Sequence, residues 1–152
     1  MKTITTSVLA IISLILICSC CTGKNSATKG ENIPYTVAKN YFFRNDRTAP
    51  DNPKITTKEQ FFELFGMAAF MGKDGRPTNI DFSRQFVIAI VHPETAYSVQ
   101  MTPKSIKSTD DKLIFTYQEK VGKEKLTYTS RPVMIVVVDK KCEKSSVVLV
   151  KQ

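Results

Sequence analysis

The sequence has no tryptophan and one histidine, His92, in 152 residues. A single histidine rules out paired-histidine metal motifs, and any Ser-His-Asp or Cys-His catalytic set would have to use that one base. There is no Gly-x-Ser-x-Gly elbow. The stretch "TGKNS" (22–26) contains a Gly-Lys, but it lies in a polar segment with no strand before it, so it makes no phosphate-binding loop. Six glycines and seven prolines are few, and they sit between apolar runs where turns belong, which excludes collagen-like and low-complexity architectures. No internal repeat is present. The apolar stretch Val8 to Ile17, interrupted only by Ser13, falls well short of the roughly 20 residues that a membrane-spanning helix needs.

Acidic residues are also scarce: 14 against 22 Lys and Arg, for a formal charge of +8. A basic excess suits nucleic acid or an anionic membrane surface. Here the cations are scattered from Lys24 to Lys151, and a tight pair such as Lys140-Lys141 sits in an expected turn. Aromatic residues do not interleave with them as a base-stacking platform requires, so the charge reads as a solvated basic surface and no nucleic-acid partner is expected.

Of the four cysteines, three fall within four positions, Cys18, Cys20 and Cys21. Zinc would need four ligands at recognisable spacing, and beyond the cluster only His92 and Cys142 remain. The order of features around the cluster is more informative. Met1-Lys2 is a short positive start, an apolar run follows, then small residues, then polar "TGKNSATKGEN"; these are the regions of a secretory signal. "LICSC" resembles a bacterial lipobox, with Ile17 in the aliphatic place, Ser19 in the small place and Cys20 as the acylated residue. A frame on Cys21 would put Cys20 before the cut, and a frame on Cys18 would put bulky Ile17 there; both are poorer. The resemblance implies a signal peptide over 1–19, a lipid anchor on Cys20 and a flexible tether over 20–34. Cleavage leaves 21 basic and 14 acidic residues, a charge of +7. Cys21 and Cys142 are then the remaining thiols, either unpaired or joined in an oxidising compartment. Surface-export signals place acidic residues directly after the lipidated cysteine, and the tether has none before Glu31. That favours an outer-membrane lipoprotein facing the periplasm.

Residues 35–152 are expected to form a single α+β domain. "IPYTVAKNYFFR" alternates Tyr35, Val37, Lys39, Tyr41 and Phe43, which predicts one strand. Thr57 followed by Gln60 predicts a capping box, with Phe61, Leu64 and Phe65 on one helical face and Gly66 closing the helix in the left-handed conformation. "MAAFM" (67–71) extends it as a second helical turn. Beyond it the pattern is strands: the unbroken apolar runs Phe86–Val91 and Val133–Val138, the segments Tyr97–Met101 and Leu113–Glu119, a turn at "VGKE", then "KLTYTS" and "SVVLV". Continuous apolar runs read as strands buried on both faces or packed under a helix. The sum is a mostly antiparallel sheet of about seven strands, rolled or forming a partial barrel, with one main helix.

Asp81-Phe82-Ser83, Tyr97-Ser98-Val99 and Pro132-Val133 stand in an order that resembles the C-terminal domain of PrcB-type protease-complex proteins, over roughly Ile55 to Val150. Where that family tends to have glycines before the tyrosine, this chain has Thr95-Ala96. The resemblance implies the fold and association with a protease or another envelope complex.

Candidates for chemistry are sparse. His92 precedes Pro93 at a strand end and reads as a loop histidine. Cys142, in "KKCEKS", has Lys140, Lys141 and Lys144 near it, which would favour a thiolate, but a turn offers little pocket. Asp110-Asp111 reads as a turn, and Met67 and Met71 as core filling. No catalytic residue, metal or cofactor is expected. "HPETAY" is the candidate recognition loop, with His92 and Tyr97 as its binding residues, although Tyr97 also fits a core position on the alternating strand. The sequence thus predicts a lipid-anchored, non-enzymatic protein-interaction domain, with a small-ligand or glycan-binding domain as the alternative.

Overall fold

The computed structural model describes residues 30–152. Cys20 and Cys21 lie outside the described residues, and so does the expected signal segment. Ten strands and one α-helix make up the domain: β1 (Glu31–Ile33), β2 (Tyr35–Ala38), β3 (Tyr41–Phe43), β4 (Lys54–Ile55), α1 (Lys58–Leu64), β5 (Phe65–Met67), β6 (Gln85–Val91), β7 (Thr95–Ser108), β8 (Lys112–Ser130), β9 (Val133–Asp139) and β10 (Ser146–Lys151). A 3-10 turn at Lys140–Cys142 separates β9 from β10.

The two apolar runs form the centre. β6 and β9 pair antiparallel in unbroken register from Gln85 opposite Asp139 to Val91 opposite Val133. Each has five consecutive buried residues, because both faces of the pair are covered. On one face Phe86, Ile88, Ile90, Met134, Val136 and Val138 meet Ile33, Ile106, Leu113 and Phe115 from a second sheet. On the other, Val87, Ala89, Ile135 and Val137 meet Phe43, Phe61 and Phe65 from the helix and its hairpin. The molecule is therefore layered: a sheet β1-β7-β8-β10, a sheet β2-β9-β6-β4, and a layer made of α1 with the β3-β5 pair.

The two larger sheets are parts of one folded ribbon. β6 leads into β7 and β8 into β9, and the two connections run side by side, with the His92 N–H donating to the Pro132 carbonyl at 2.9 Å. β7 and β8 pair antiparallel from Thr95 opposite Ser130 to Ser108 opposite Leu113, with bulges near Tyr97 and Pro103. Bending the ribbon at the connections lays its distal half over its proximal half. The expectation of a rolled sheet or partial barrel is met only loosely: the described residues are mostly β with one helix, no sheet among them closes into a barrel, and the space between the sheets is filled by side chains.

Several local expectations are corrected. The run from Tyr35 to Phe43 is two strands in two sheets, because Asn40 takes a left-handed conformation (φ 65°) and turns the chain between them. Glu31–Ile33, placed in the expected tether, instead pair with Ile106–Ser108, and Ile33 enters the core. Thr57 does cap α1, its hydroxyl accepting from the Gln60 N–H at 3.2 Å, but Gly66 does not end the helix. Phe65 leaves in an extended conformation, and Gly66 sits in β5 beneath the Phe42 ring, where a side chain would collide. Of "MAAFM", Met67 accordingly ends β5 and the remainder starts a loop. "VGKE" makes no turn: β8 runs 19 residues through it, with Gly122 lying close against Ser98 of β7. Finally, β10 pairs parallel with β8, Ser146 opposite Lys112 through Lys151 opposite Tyr117, so the sheet is mixed.

Phe61 is the clearest packing anchor. It is fully buried, and its ring meets Tyr41, Phe62, Phe65 and Phe82 with centroids 5.0–5.5 Å away. We expect Phe61→Ala to cost about 3–5 kcal/mol of unfolding free energy and Thr57→Ala about 1 kcal/mol, read from urea unfolding curves with unchanged slope.

Candidate functional site

Two surface features stand out. The first is the free edge of the β1-β7-β8-β10 sheet. β10, "SVVLVK", is six residues long with four apolar side chains in a row. Val147 packs against the inter-sheet core, Leu149 borders a small pocket with Pro53, Ala89 and Ile90 and is itself 37% exposed, and Val148 and Val150, on the other face of the strand, are 42% and 39% exposed. β8 is the one neighbour of β10 in the sheet, so its other edge is unpaired among the described residues. The edge strands β1, β2 and β4 are shorter, with three, four and two residues, β4 following Pro53. Beyond the stretches covered by β1 and β10, the β7-β8 ribbon also has unpaired margins among the described residues, at Thr95–Ser105 and Gln118–Ser130. Short strands and prolines are how soluble proteins blunt an edge, and β10 lacks both devices.

Both ends of β10 are fastened. At its start the Lys54 ammonium donates to Glu143 Oε1 at 3.2 Å and to the Lys144 carbonyl at 2.7 Å, and the Ser145 hydroxyl donates to the Asp111 carbonyl at 2.6 Å. At its end Lys151 Nζ bonds Glu119 Oε1 at 3.0 Å, and the Gln152 N–H donates to the Tyr117 carbonyl at 2.9 Å. The Glu119 hydrogen bond and charge raise the Lys151 pKa above its ordinary value. A pinned, extended, apolar edge is a preformed template for strand addition, because little ordering remains to be done on binding.

The second feature is a groove of about 710 Å³ between α1 and the segment Arg76–Ser83. Its floor is aromatic, from Tyr41, Phe61, Phe62 and Phe82. Much of its polar lining is already committed. The Tyr41 hydroxyl donates to the Thr78 carbonyl at 2.7 Å, and burial raises its pKa. Asp81 accepts from the Ser83 hydroxyl at 2.5 Å, the Ser83 N–H at 3.0 Å and Arg84 Nε at 3.0 Å. Lys58 and Arg76 line the groove, and neither is ion-paired among the described residues.

The expected recognition residues, His92 and Tyr97, have no hydrogen bond to each other. His92 follows β6 at the ribbon's bend, its Nδ1 2.7 Å from the Pro93 carbonyl and its Nε2 3.9 Å from Glu119 Oε1. Tyr97 is exposed in β7 opposite Lys125, so the core alternative for it fails. Cys142 is half-buried in the 3-10 turn and packs on the inter-sheet core. Lys140, one of the lysines flanking it, directs its ammonium to the Phe82 carbonyl at 2.9 Å. Met67 and Met71 are exposed, which corrects their reading as core filling. Composition concealed the β10 edge, since "SVVLV" reads like any interior strand; its exposure follows from sheet order.

No family model, curated protein or solved structure matches the chain. The three motifs behind the PrcB-type resemblance fall at separate structural places. Asp81-Phe82-Ser83 forms the turn before β6, Tyr97-Ser98-Val99 lies in β7, and Pro132-Val133 opens β9.

Asp81 organises that turn. Hydrogen bonds from the Ser83 side chain, the Ser83 backbone and Arg84 lower its pKa below the ordinary 3.8. A depressed carboxyl stabilises the fold above its unfolded pKa, and that contribution is lost as pH falls from about 3.8 through the folded value. Asp81→Asn should therefore lower stability at neutral pH and flatten the decline below pH 4, checked by thermal melts across pH 2–7.

Proposed function

We propose that the chain is a lipid-anchored bacterial envelope protein that acts without catalysis, its domain binding an extended segment of a partner protein along β10. The observation that carries this reading is the unpaired apolar edge of β10, pinned at both ends. Backbone hydrogen bonds along the edge would supply affinity, and the outward Val148 and Val150 would select apolar side chains on alternate positions of the partner. The "LICSC" signal and Cys20 supply the anchor in this reading, and the outer membrane facing the periplasm is the location it favours. The PrcB-type resemblance suggests a protease or other envelope complex as the partner.

The test is site-specific photo-crosslinking in cells. A photoreactive residue at Val148 or Val150 should yield one dominant protein adduct, and one at Glu59, exposed on α1, should not. Val148→Lys with Val150→Lys should reduce adduct formation at least about tenfold, since charged side chains on an edge strand oppose pairing, while the melting temperature stays near that of the parent. Equal adducts at all sites, or none at β10, would count against the reading. Mass measurement of the native amino terminus checks the anchor separately: Cys20 should carry acyl chains, with residues 1–19 gone.

A second reading, a small ligand in the α1 groove, is favoured by the groove's volume, which lies in the range of about 300–1,000 Å³ typical of ligand sites. The free cations Lys58 and Arg76 would suit an apolar body carrying a negative charge. Screening small carboxylates by thermal shift, with Arg76→Ala as control, separates the two: ligand stabilisation lost in the variant supports the groove.

A further inference from the structure

We infer that the loop Ala68–Gly75 is a second membrane contact, inserting Phe70 and Met71 into an anionic bilayer beside the acyl anchor. This rests on the acylated reading above. The loop is held firmly, yet it presents its most apolar residues to solvent. The Ala68 N–H donates to the Asn40 carbonyl at 2.9 Å, and the Asn40 amide donates to the Asp74 and Arg76 carbonyls at 2.6 and 2.9 Å. The Phe70 N–H donates to the Gly75 carbonyl at 3.0 Å, closing the tip. Gly72, at φ 129°, makes the turn that few side-chain-bearing residues can adopt. This frame leaves Met71 fully exposed and Phe70 60% exposed, with Phe42 and Met67 also exposed on the neighbouring β3-β5 pair.

Charge around the apolar tip favours an anionic surface. Lys73 lies in the tip and Arg76 just beyond it, and Lys39 is tied to Thr78 by its backbone, N–H to Thr78 Oγ1 at 2.9 Å. Asp74 is the one acid between residues 68 and 78. Apolar insertion beside a few cations adds a second attachment to an acyl anchor on an anionic bilayer. Reach is sufficient. The ten residues from Cys20 to Gly30 extend at most about 35 Å, and the ten from Gly30 to Asn40, which holds the loop, extend no further. The loop can therefore touch the same bilayer that holds the anchor.

The absence of tryptophan provides the test. The full acylated chain carrying M71W as its sole tryptophan is reconstituted in vesicles of phosphatidylethanolamine and phosphatidylglycerol, with F70W as a second probe. The emission should shift to the blue and be quenched by brominated acyl chains. The shift should weaken in vesicles of phosphatidylcholine alone and at high salt, and Y128W, on exposed β8 outside the patch, should show neither effect. Water-like emission at both probes, in protein that mass measurement shows to be acylated and that floats with the vesicles, overturns the inference. A blue shift that appears without lipid and grows with protein concentration also overturns it, and assigns the patch to a second copy of the chain. If the amino terminus is not acylated but the probes still shift on mixing with anionic vesicles, the anchor fails and the loop contact stands.

Discussion

The whole domain depends on covering both faces of the β6-β9 pair. Two strands that are each apolar at six consecutive positions, Phe86–Val91 and Val133–Val138, cannot rest against water on either side. One face is covered by bending their own continuations, β7 and β8, back over them, and the other by α1 with the β3-β5 hairpin. The cores on the two sides are chemically distinct. The inter-sheet side is mostly aliphatic, and the helix side is an aromatic cluster around Phe61. Stiff branched residues fit the flat space between sheets, whereas rings fill the irregular space under a short helix.

A seven-residue helix has little stability of its own. α1 persists because Thr57 satisfies its first turn and Phe61 sits among four rings. The same packing sets the groove, whose floor includes Tyr41, Phe61, Phe62 and Phe82. Core and surface are thus built from the same side chains on this face, and a ligand there would contact residues that hold the helix in place. On the opposite side the β10 edge is independent of that cluster, fastened by Lys54, Ser145 and Lys151.

Sequence pattern revealed the elements whose burial is simple. Phe86–Val91 and Val133–Val138 announced doubly covered strands, and Thr57 with Gln60 announced the helix start. It failed where the backbone changes sheet without changing periodicity. Asn40 interrupts an alternation that continues on both sides of it, and only its left-handed conformation redirects the chain. Gly122 looked like a turn because glycine usually serves one, whereas here it admits Ser98 of the adjacent strand. The parallel pairing of β10 was hidden because the turn at Lys140–Cys142 carries the chain from one sheet to the other, and hydropathy does not record which sheet a strand joins. The β10 edge was illegible for the same reason. The fully exposed Met71 was misread because methionine beside phenylalanine more often fills a core.

β10, the last strand among the described residues, adds to a sheet laid down by much earlier residues. Because β10 pairs with Lys112–Tyr117, and β8 is already joined to β7 on its other side, a nascent chain can assemble the folded ribbon before residue 146 exists. Until then the inward faces of Leu113 and Phe115 lack their neighbour Val147, and β8 itself is the open margin. Synthesis from the amino terminus therefore leaves a temporary sticky border along Lys112–Tyr117 that Ser146–Lys151 replace with a border of their own. A premature stop just before Ser146 would leave the catalogue of core residues nearly intact while changing which strand meets the outside world.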